Sequence, residues 1–268
     1  MTLTRLIRHG WPLVVLLSSG MPANAEALRI GAEDDWYPYT ALRDGQVQGM
    51  SVDIVKAAFA ATATDIQLLP YPYARCMQMT LRGELAACFN SAPNAAIARD
   101  YLLPKTALFS DDILLWARAA QAATVSDIAQ LRGEKVAVTI GYEYGERFDQ
   151  HTQAVRVAVR QDLNGFRMLQ RQRVDYMAAY RGTANHLFRQ YPALAGQFRP
   201  VASVHQPQLF LSFSRHGAEA QALVQRFEQG MRLIHDNGRY EQILHDWQHG
   251  SADSAPPRYT AKSPVATP

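Results

Sequence analysis

Three consecutive carboxylates, Glu33, Asp34 and Asp35, run directly into an aromatic cluster interrupted by one proline: Trp36, Tyr37, Pro38 and Tyr39. Carboxylates accept hydrogen bonds from ammonium or guanidinium groups, and flat rings lie against cationic or aliphatic bodies. Together they make half of a grip on a small polar solute. A second group has similar chemistry: Tyr142, Glu143 and Tyr144 alternate inside a loop bounded by Gly141 and Gly145. Arg75, in "YPYARC", stands where a strand gives way to a helix and offers a guanidinium suited to a carboxylate. His245 and His249 have a helical metal-binding spacing, but no third ligand accompanies them, and exposed helix histidines are the simpler account. The chain shows no nucleophile elbow, no glycine loop followed by a phosphate-binding lysine and no thiol–histidine spacing. Neither a catalytic residue nor a metal or cofactor is expected.

The elements that must position these groups alternate between strand and helix. "ALRIGAE" reads as a strand, with Gly45 and Gly49 marking a turn beyond it. "SVDIVKAAFAAT" places Val52, Val55 and Phe59 on one helical face, with Ser51 at a capping position. The strand "DIQLLPY", a helix through "ARCMQMTLR" ending at Gly83, and the strand "ELAACFN" complete a parallel unit. After an extended segment over 111–118, the grammar restarts in "TVSDIAQLRGEKVAVTIG", read as helix, turn at Gly133 and strand. A helix from Glu146, the strand "VRVAV", a helix from Asp162 to Arg171, the strand "VDYMAAY" and a helix over Thr183–Gln190 follow. "HQPQLFLSFSR" returns, and Leu223, Val224, Phe227, Met231 and Ile234 then mark a long amphipathic closing helix.

The expected fold is α/β with two lobes, the second inserted in the first: residues 26–115 and 207–250 form one, residues 116–206 the other. Two crossings near 111–118 and 203–210 join them as a hinge. Ligands sit beyond the carboxyl ends of strands in such sheets, which puts Glu33 to Tyr39 on the rim of an interlobe cleft.

The ends carry a different signal. Arg5 and Arg8, the apolar "WPLVVLLSSGM" and Ala23-Asn24-Ala25 have the order of a cleavable signal peptide over residues 1–25. The apolar run falls short of the roughly 20 residues that span a bilayer. The expectation is a soluble, monomeric, exported protein in the periplasm. Residues 251–268 lack an apolar period and read as a disordered tail. The formal net charge is +3 and falls to +1 without Arg5 and Arg8, which argues against a nucleic-acid partner. Residues 26–115 carry 7 Lys/Arg against 11 Asp/Glu, and residues 116–206 carry 12 against 7, so the lobes differ in sign. In an oxidising compartment Cys76 and Cys88 can pair if their Cα atoms fall within about 7 Å; otherwise they are two buried thiols.

"LRIGAEDDWYPYT…DGQVQGMSVDIVKAAF", "LRGELAACFN", "DIAQLRGEKVAVTIGYEYGERF" and "LFLSFSRHGAEAQALVQRFEQGMRLIHDNGRYEQILHDW" resemble, in order and spacing, the bacterial extracytoplasmic solute-binding proteins of the amino-acid-binding type. The resemblance spans residues 27–248 and implies a type II periplasmic-binding-protein fold that closes on a small-molecule ligand. It further implies delivery to a membrane transporter, as in ABC transport of amino acids, or presentation to a membrane sensor. By the same resemblance Trp36 lies against the ligand with Tyr39 in support, Arg99 in "AIARDYLLP" is the nearest match to a carboxylate-gripping arginine, and Gly141–Gly145 offers backbone amides. The pattern departs at the end of "VDYMAAYRG", where Tyr180 and Arg181 stand in place of the family's ammonium-binding carboxylate. Glu33, Asp34, Asp35 or Glu143 would have to supply that charge, or the ligand is not a standard α-amino acid. The ligand set is thus Glu33, Trp36, Tyr39, Arg75, Arg99, Tyr142 and Tyr180. A dehydratase-like enzyme on the same scaffold, using Glu33 or Glu143 as a general acid, is the alternative.

Overall fold

The computed structural model describes residues 27–249 except 123, 124 and 218; the expected signal peptide (1–25) and tail (251–268) lie outside the described residues. Strand β1 (Leu28–Glu33) leads into a small antiparallel sheet of β2 (Asp35–Trp36), β3 (Thr40–Arg43) and β4 (Gln46–Gln48). Helix α1 (Met50–Ala61), β5 (Ile66–Tyr71), α2 (Tyr73–Leu81), β6 (Ala87–Ser91), α3 (Ala95–Asp100) and β7 (Phe109–Ser110) follow. The chain then builds β8 (Ile113–Arg118), β9 (Lys135–Thr139), α4 (Glu146–Asp149), β10 (Val155–Val159), α5 (Asp162–Gln170), β11 (Tyr176–Tyr180), α6 (Arg181–Gln190) and β12 (Phe198–His205). It ends with β13 (Gln208–Phe213), α7 (Ala220–Asp236) and α8 (Arg239–His249).

Two five-stranded sheets result, ordered β5-β1-β6-β13-β7 and β10-β9-β11-β8-β12. The second is made wholly of strands lying between β7 and β13 in sequence, so one sheet interrupts the other. β7 pairs with β13 through Gln208 and Ser110, and β8 pairs with β12 through Ile113 and His205. The two crossings therefore run side by side at 111–112 and 206–207, and the Ser110 hydroxyl donates to the Pro207 carbonyl at 2.9 Å. Because Ile113–Arg118 lies entirely in the second sheet, the chain changes sheets at Asp111–Asp112 rather than at 115/116.

Other departures have local causes. The helix expected before Gly133 is one 3-10 turn, Ile128–Gln130, closed by an Asp127–Gln130 capping box, and α4 is a single turn. Gly238, at φ +75°, supplies a left-handed residue that splits the long closing helix into α7 and α8. Ser51 does not cap α1; it lies inside the first turn, and its hydroxyl donates to the Tyr39 carbonyl at 2.7 Å. That bond ties α1 to the aromatic loop.

The α1 face carrying Val52, Val55 and Phe59 is buried, as are Val224, Phe227, Met231 and Ile234 of α7. Phe59 and Phe227 meet at a centroid distance of 5.5 Å, and Trp247 Nε1 on α8 donates to Asp53 Oδ2 at 2.8 Å. Each large apolar side chain buried here stabilises the first lobe by about 1.5–3 kcal/mol. The closing helices thereby return the chain to the lobe where it started.

Cys76 on α2 and Cys88 on β6 are bonded, with Cα atoms 5.9 Å apart, and both are fully buried. The bond fixes the helix whose first residue is Tyr73 against the strand that ends beside Asn90. Replacing both cysteines by alanine is expected to lower unfolding stability by about 3 kcal/mol, read from denaturant titration. An unchanged midpoint would show that the bond does not support this lobe.

Candidate functional site

Every polar group of the site comes from an element end, where backbone direction brings side chains out of the sheet. β1 ends at Glu33, β6 at Asn90 and Ser91, and α2 begins at Tyr73, all in the first lobe. From the second lobe come Tyr180, ending β11, and the loop after β9 with Tyr142 and Glu143. Glu33, Trp36, Tyr73, Asn90, Tyr142, Glu143 and Tyr180 line one cavity of about 10 Å³, room for about one water. The lobes are thus closed, with their own side chains filling the gap.

Three phenol–carboxylate hydrogen bonds hold that closure. Tyr142 of the second lobe donates to Glu33 Oε1 of the first. In the opposite sense, Tyr73 of the first lobe donates to both carboxylate oxygens of Glu143, at 3.0 and 2.9 Å. At the hinge, Tyr39 Oη donates to Asp111 Oδ2 at 2.5 Å, and the Gly182 amide of α6 donates to the same oxygen at 3.1 Å. A Cβ at Gly182 would stand 2.0 Å from Tyr39 Oη, so this approach requires glycine. Arg181 pairs with Asp112 at 2.5 Å, securing the neighbouring crossing residue to the same helix.

The rings pack in an order set by Trp36. Its centroid lies 4.5 Å from Tyr39, 4.9 Å edge-on from Tyr180 and 6.0 Å edge-on from Tyr142; Tyr39 stacks on Phe109 at 4.6 Å. Water is largely excluded, and burial pushes the carboxyls up: Glu33 well above the usual range, and Glu143 to about 7 despite its hydrogen bond from Tyr73. Burial also raises the phenols of Tyr73, Tyr142 and Tyr180, so they remain donors at neutral pH. Three buried polar atoms in this lining have no partner: Trp36 Nε1 and both amide atoms of Asn90. Buried groups of this kind are normally paired, so these are free to meet a guest.

Of the residues expected from sequence, Glu33, Trp36, Tyr142 and Tyr180 line the cavity, and Tyr39 backs Trp36. The two arginines do not join them. Arg99 is 73% exposed on α3, pairs with its neighbour Asp100 at 2.6 Å and does not line the cavity. Arg75 is also exposed, with its guanidinium over the Tyr71 ring at 5.4 Å. Among the carboxylates that might replace the missing one, Glu33 and Glu143 enter the cavity and Asp34 and Asp35 do not. Tyr73 and Asn90 were not expected. Asn90 had a legible signal, the carboxyl end of a strand; Tyr73 had a weaker one, the first helical position after Pro72.

Two α/β lobes, one inserted in the other and joined by adjacent crossings, are the type II periplasmic-binding-protein fold. Residues 28–250 match the bacterial extracellular solute-binding proteins, family 3, and the chain belongs to that family. A mutant of ArgBP from T. maritima has a similar structure, with TM-score 0.72 and 16% identity over 83% of this chain and 95% of that one. An ancestral arginine-binding protein bound to arginine gives 0.73 and 14% over 82% and 97%. A histidine kinase sensor domain with similarity to periplasmic binding proteins gives 0.72 and 19% over 84% and 96%. Comparison with curated proteins finds no match. Among the described residues no helix is long and apolar enough to cross a membrane.

Glu143 makes the closure pH-dependent. Its carboxyl titrates near 7 in the closed structure against an ordinary 4.5, so its contribution is fully present below about pH 4.5 and is lost as pH rises through about 7. Glu143→Gln cannot ionise and keeps an oxygen for Tyr73. The melting temperature of the native protein should fall relative to this variant between roughly pH 5 and pH 8. Parallel pH profiles for the two proteins would contradict the assignment.

Proposed function

We propose that the protein captures a small polar, amino-acid-like solute between its lobes and presents it to a membrane transporter, after export directed by residues 1–25. The observation that carries this reading is the convergence of both lobes on one cavity: carboxylates Glu33 and Glu143, the Trp36 ring and the unpartnered Asn90 amide. A cationic group of the solute takes over Glu33 and Glu143, now held by tyrosines. Its body lies on Trp36, and its oxygen atoms meet Asn90 and the amides of the Gly141–Gly145 loop. The arginine-binding proteins among the similar structures favour a ligand of this class.

Entry requires the closed lobes to part, because the cavity holds about one water. Tyr142 and Tyr73 exchange their carboxylate partners for solvent or solute as the hinge at Asp111–Asp112 opens. A second listener is supported by the similar sensor domain: the loaded lobes would then engage a membrane receptor.

Calorimetric titration with an amino-acid panel tests the reading. At least one member should bind saturably and unchanged in composition, and Trp36→Ala should weaken it by about 1–3 kcal/mol. Equal affinity in a folded Trp36→Ala protein would remove this cavity from ligand capture, and time-dependent conversion of the solute would replace binding with catalysis.

A further inference from the structure

Strand alternation gives β2 two faces. Trp36 points into the cavity above, whereas its neighbours Asp35 and Tyr37 line a separate and larger cavity of about 240 Å³. Asp35, Tyr37 and Arg43 bound it from the first lobe; Asp162 at the start of α5, with Thr183 and His186 on one face of α6, bound it from the second. The volume is far beyond the roughly 10–15 Å³ that one water needs.

The lining is unusual in what it leaves unpaired. Asp162 Oδ2, Thr183 Oγ1 and His186 Nδ1 are buried polar atoms without a hydrogen-bond partner, on residues 7%, 4% and 6% exposed. Seven such atoms occur among the described residues; three belong to the first cavity, three to this one, and Gln121 alone lies elsewhere. Unpaired buried groups therefore concentrate where the lobes face each other, as expected of surfaces shaped for a guest.

Their donor and acceptor roles can be assigned. Arg43 Nη2 lies 3.1 Å from His186 Nε2, and a guanidinium only donates, so Nε2 accepts and the ring proton sits on Nδ1. Gln190 Oε1 stands 3.1 Å from the same Nε2; a ring nitrogen that accepts from Arg43 cannot donate to it, so the amide is assigned with its oxygen and nitrogen exchanged and NH2 toward the ring. Burial, then Arg43, lowers the His186 pKa to about 4, so the imidazole is neutral near pH 7. Nδ1–H is thus a neutral donor waiting for an acceptor. Arg43 is already committed: its guanidinium lies 3.7 Å over the Tyr37 ring, which itself packs 4.3 Å from His186. On the opposite side, Asp162 Oδ1 accepts from Thr139 Oγ1 at 2.5 Å while Oδ2 accepts nothing. Burial raises the Asp162 pKa to about 6 against the Thr139 hydrogen bond, and the charge of Asp35, on the exposed rim, adds to the rise. Among the lining residues two carboxylates face one occupied guanidinium, with Arg189 acting on His186 from outside the lining, so the Asp35–Asp162 side lacks a cation of its own.

We propose that this cavity is a second binding site, for a small hydroxylated primary amine whose ammonium lies between Asp35 and Asp162 and whose oxygen accepts from His186 Nδ1–H. Thr183, both donor and acceptor, completes the ring of contacts. Because the walls come from both lobes, occupancy favours the closed form whatever fills the first cavity. The inference goes beyond the solute-capture reading and does not depend on it.

Ethanolamine is the probe, titrated into the full chain and followed by NMR on the His186 ring, assigned by the loss of its signal in His186→Gln. The Trp36 indole reports the first cavity in the same spectra. The expected result is a saturable shift of the His186 ring by ethanolamine and none by ethylene glycol, which lacks the cation. Asp162→Asn should weaken ethanolamine about tenfold or more, and Asp35→Asn, on the exposed rim and safe for folding, should weaken it in the same direction. Three results overturn the proposal: no saturable His186 shift, a shift confined to the Trp36 indole, or unchanged affinity in a folded carboxylate variant.

Discussion

A phenol facing a buried carboxylate across the gap between two lobes is the interaction on which this structure turns. It occurs in both directions, Tyr142 to Glu33 and Tyr73 to Glu143, and a third phenol, Tyr39, closes on the hinge carboxylate Asp111. Each bond satisfies a group that would be costly to bury alone, since an unpaired carboxylate in a dry site shifts its pKa or reopens to water. Closure is therefore compatible with these residues only when partners from the other lobe arrive together. The same requirement makes the arrangement exchangeable: a solute that offers better donors than a tyrosine can take the carboxylates over.

The hinge is built to deliver that simultaneous arrival. Both crossings run side by side, and Asp111 and Asp112 in the first of them are each bonded to the start of α6, through the Gly182 amide and the Arg181 side chain. Gly182 permits the close approach of Tyr39, whose ring stacks on Phe109 just before the crossing. Rotation of one lobe thus moves Trp36, Tyr39 and Phe109 as a packed unit and parts them from Tyr180 of the other lobe. The disulfide beneath α2 keeps the opposite wall, Tyr73 and Asn90, at a fixed distance from β1.

Much of the fold was legible because strand and helix periods differ and because glycines mark element ends, as Gly83 and Gly133 do. What escaped was decided by packing or by single-residue geometry. The turn at Gly238 splits an apolar period that runs on through it, so only the Asn237-Gly238 pair marks the break, and Ser51 has the chemistry of a cap but sits two residues past the capping Gly49. In the site, strand-end logic pointed to Glu33 and Trp36, the glycine-bounded loop to Tyr142 and the family pattern to Tyr180, and these four line the cavity. Arg75, expected from its place after a strand, and Arg99, expected from the resemblance, do not line the cavity: their guanidinium groups meet Tyr71 and Asp100 instead. Asn90 and Tyr73 carry only positional signals, a strand's carboxyl end and a helix's first residue, and neither residue type adds a chemical one until its neighbours across the gap are known.

On the proposed function, one solute is held by both lobes between Trp36 and the Tyr142–Glu143 loop. Amide hydrogen exchange, followed while a binding amino acid is titrated in, tests it most directly. Amides around Gly31–Tyr39 in one lobe and Gly141–Gly145 and Gly182 in the other should gain protection together, with a common midpoint. Protection confined to one lobe, or appearing on a surface away from the gap, would contradict it.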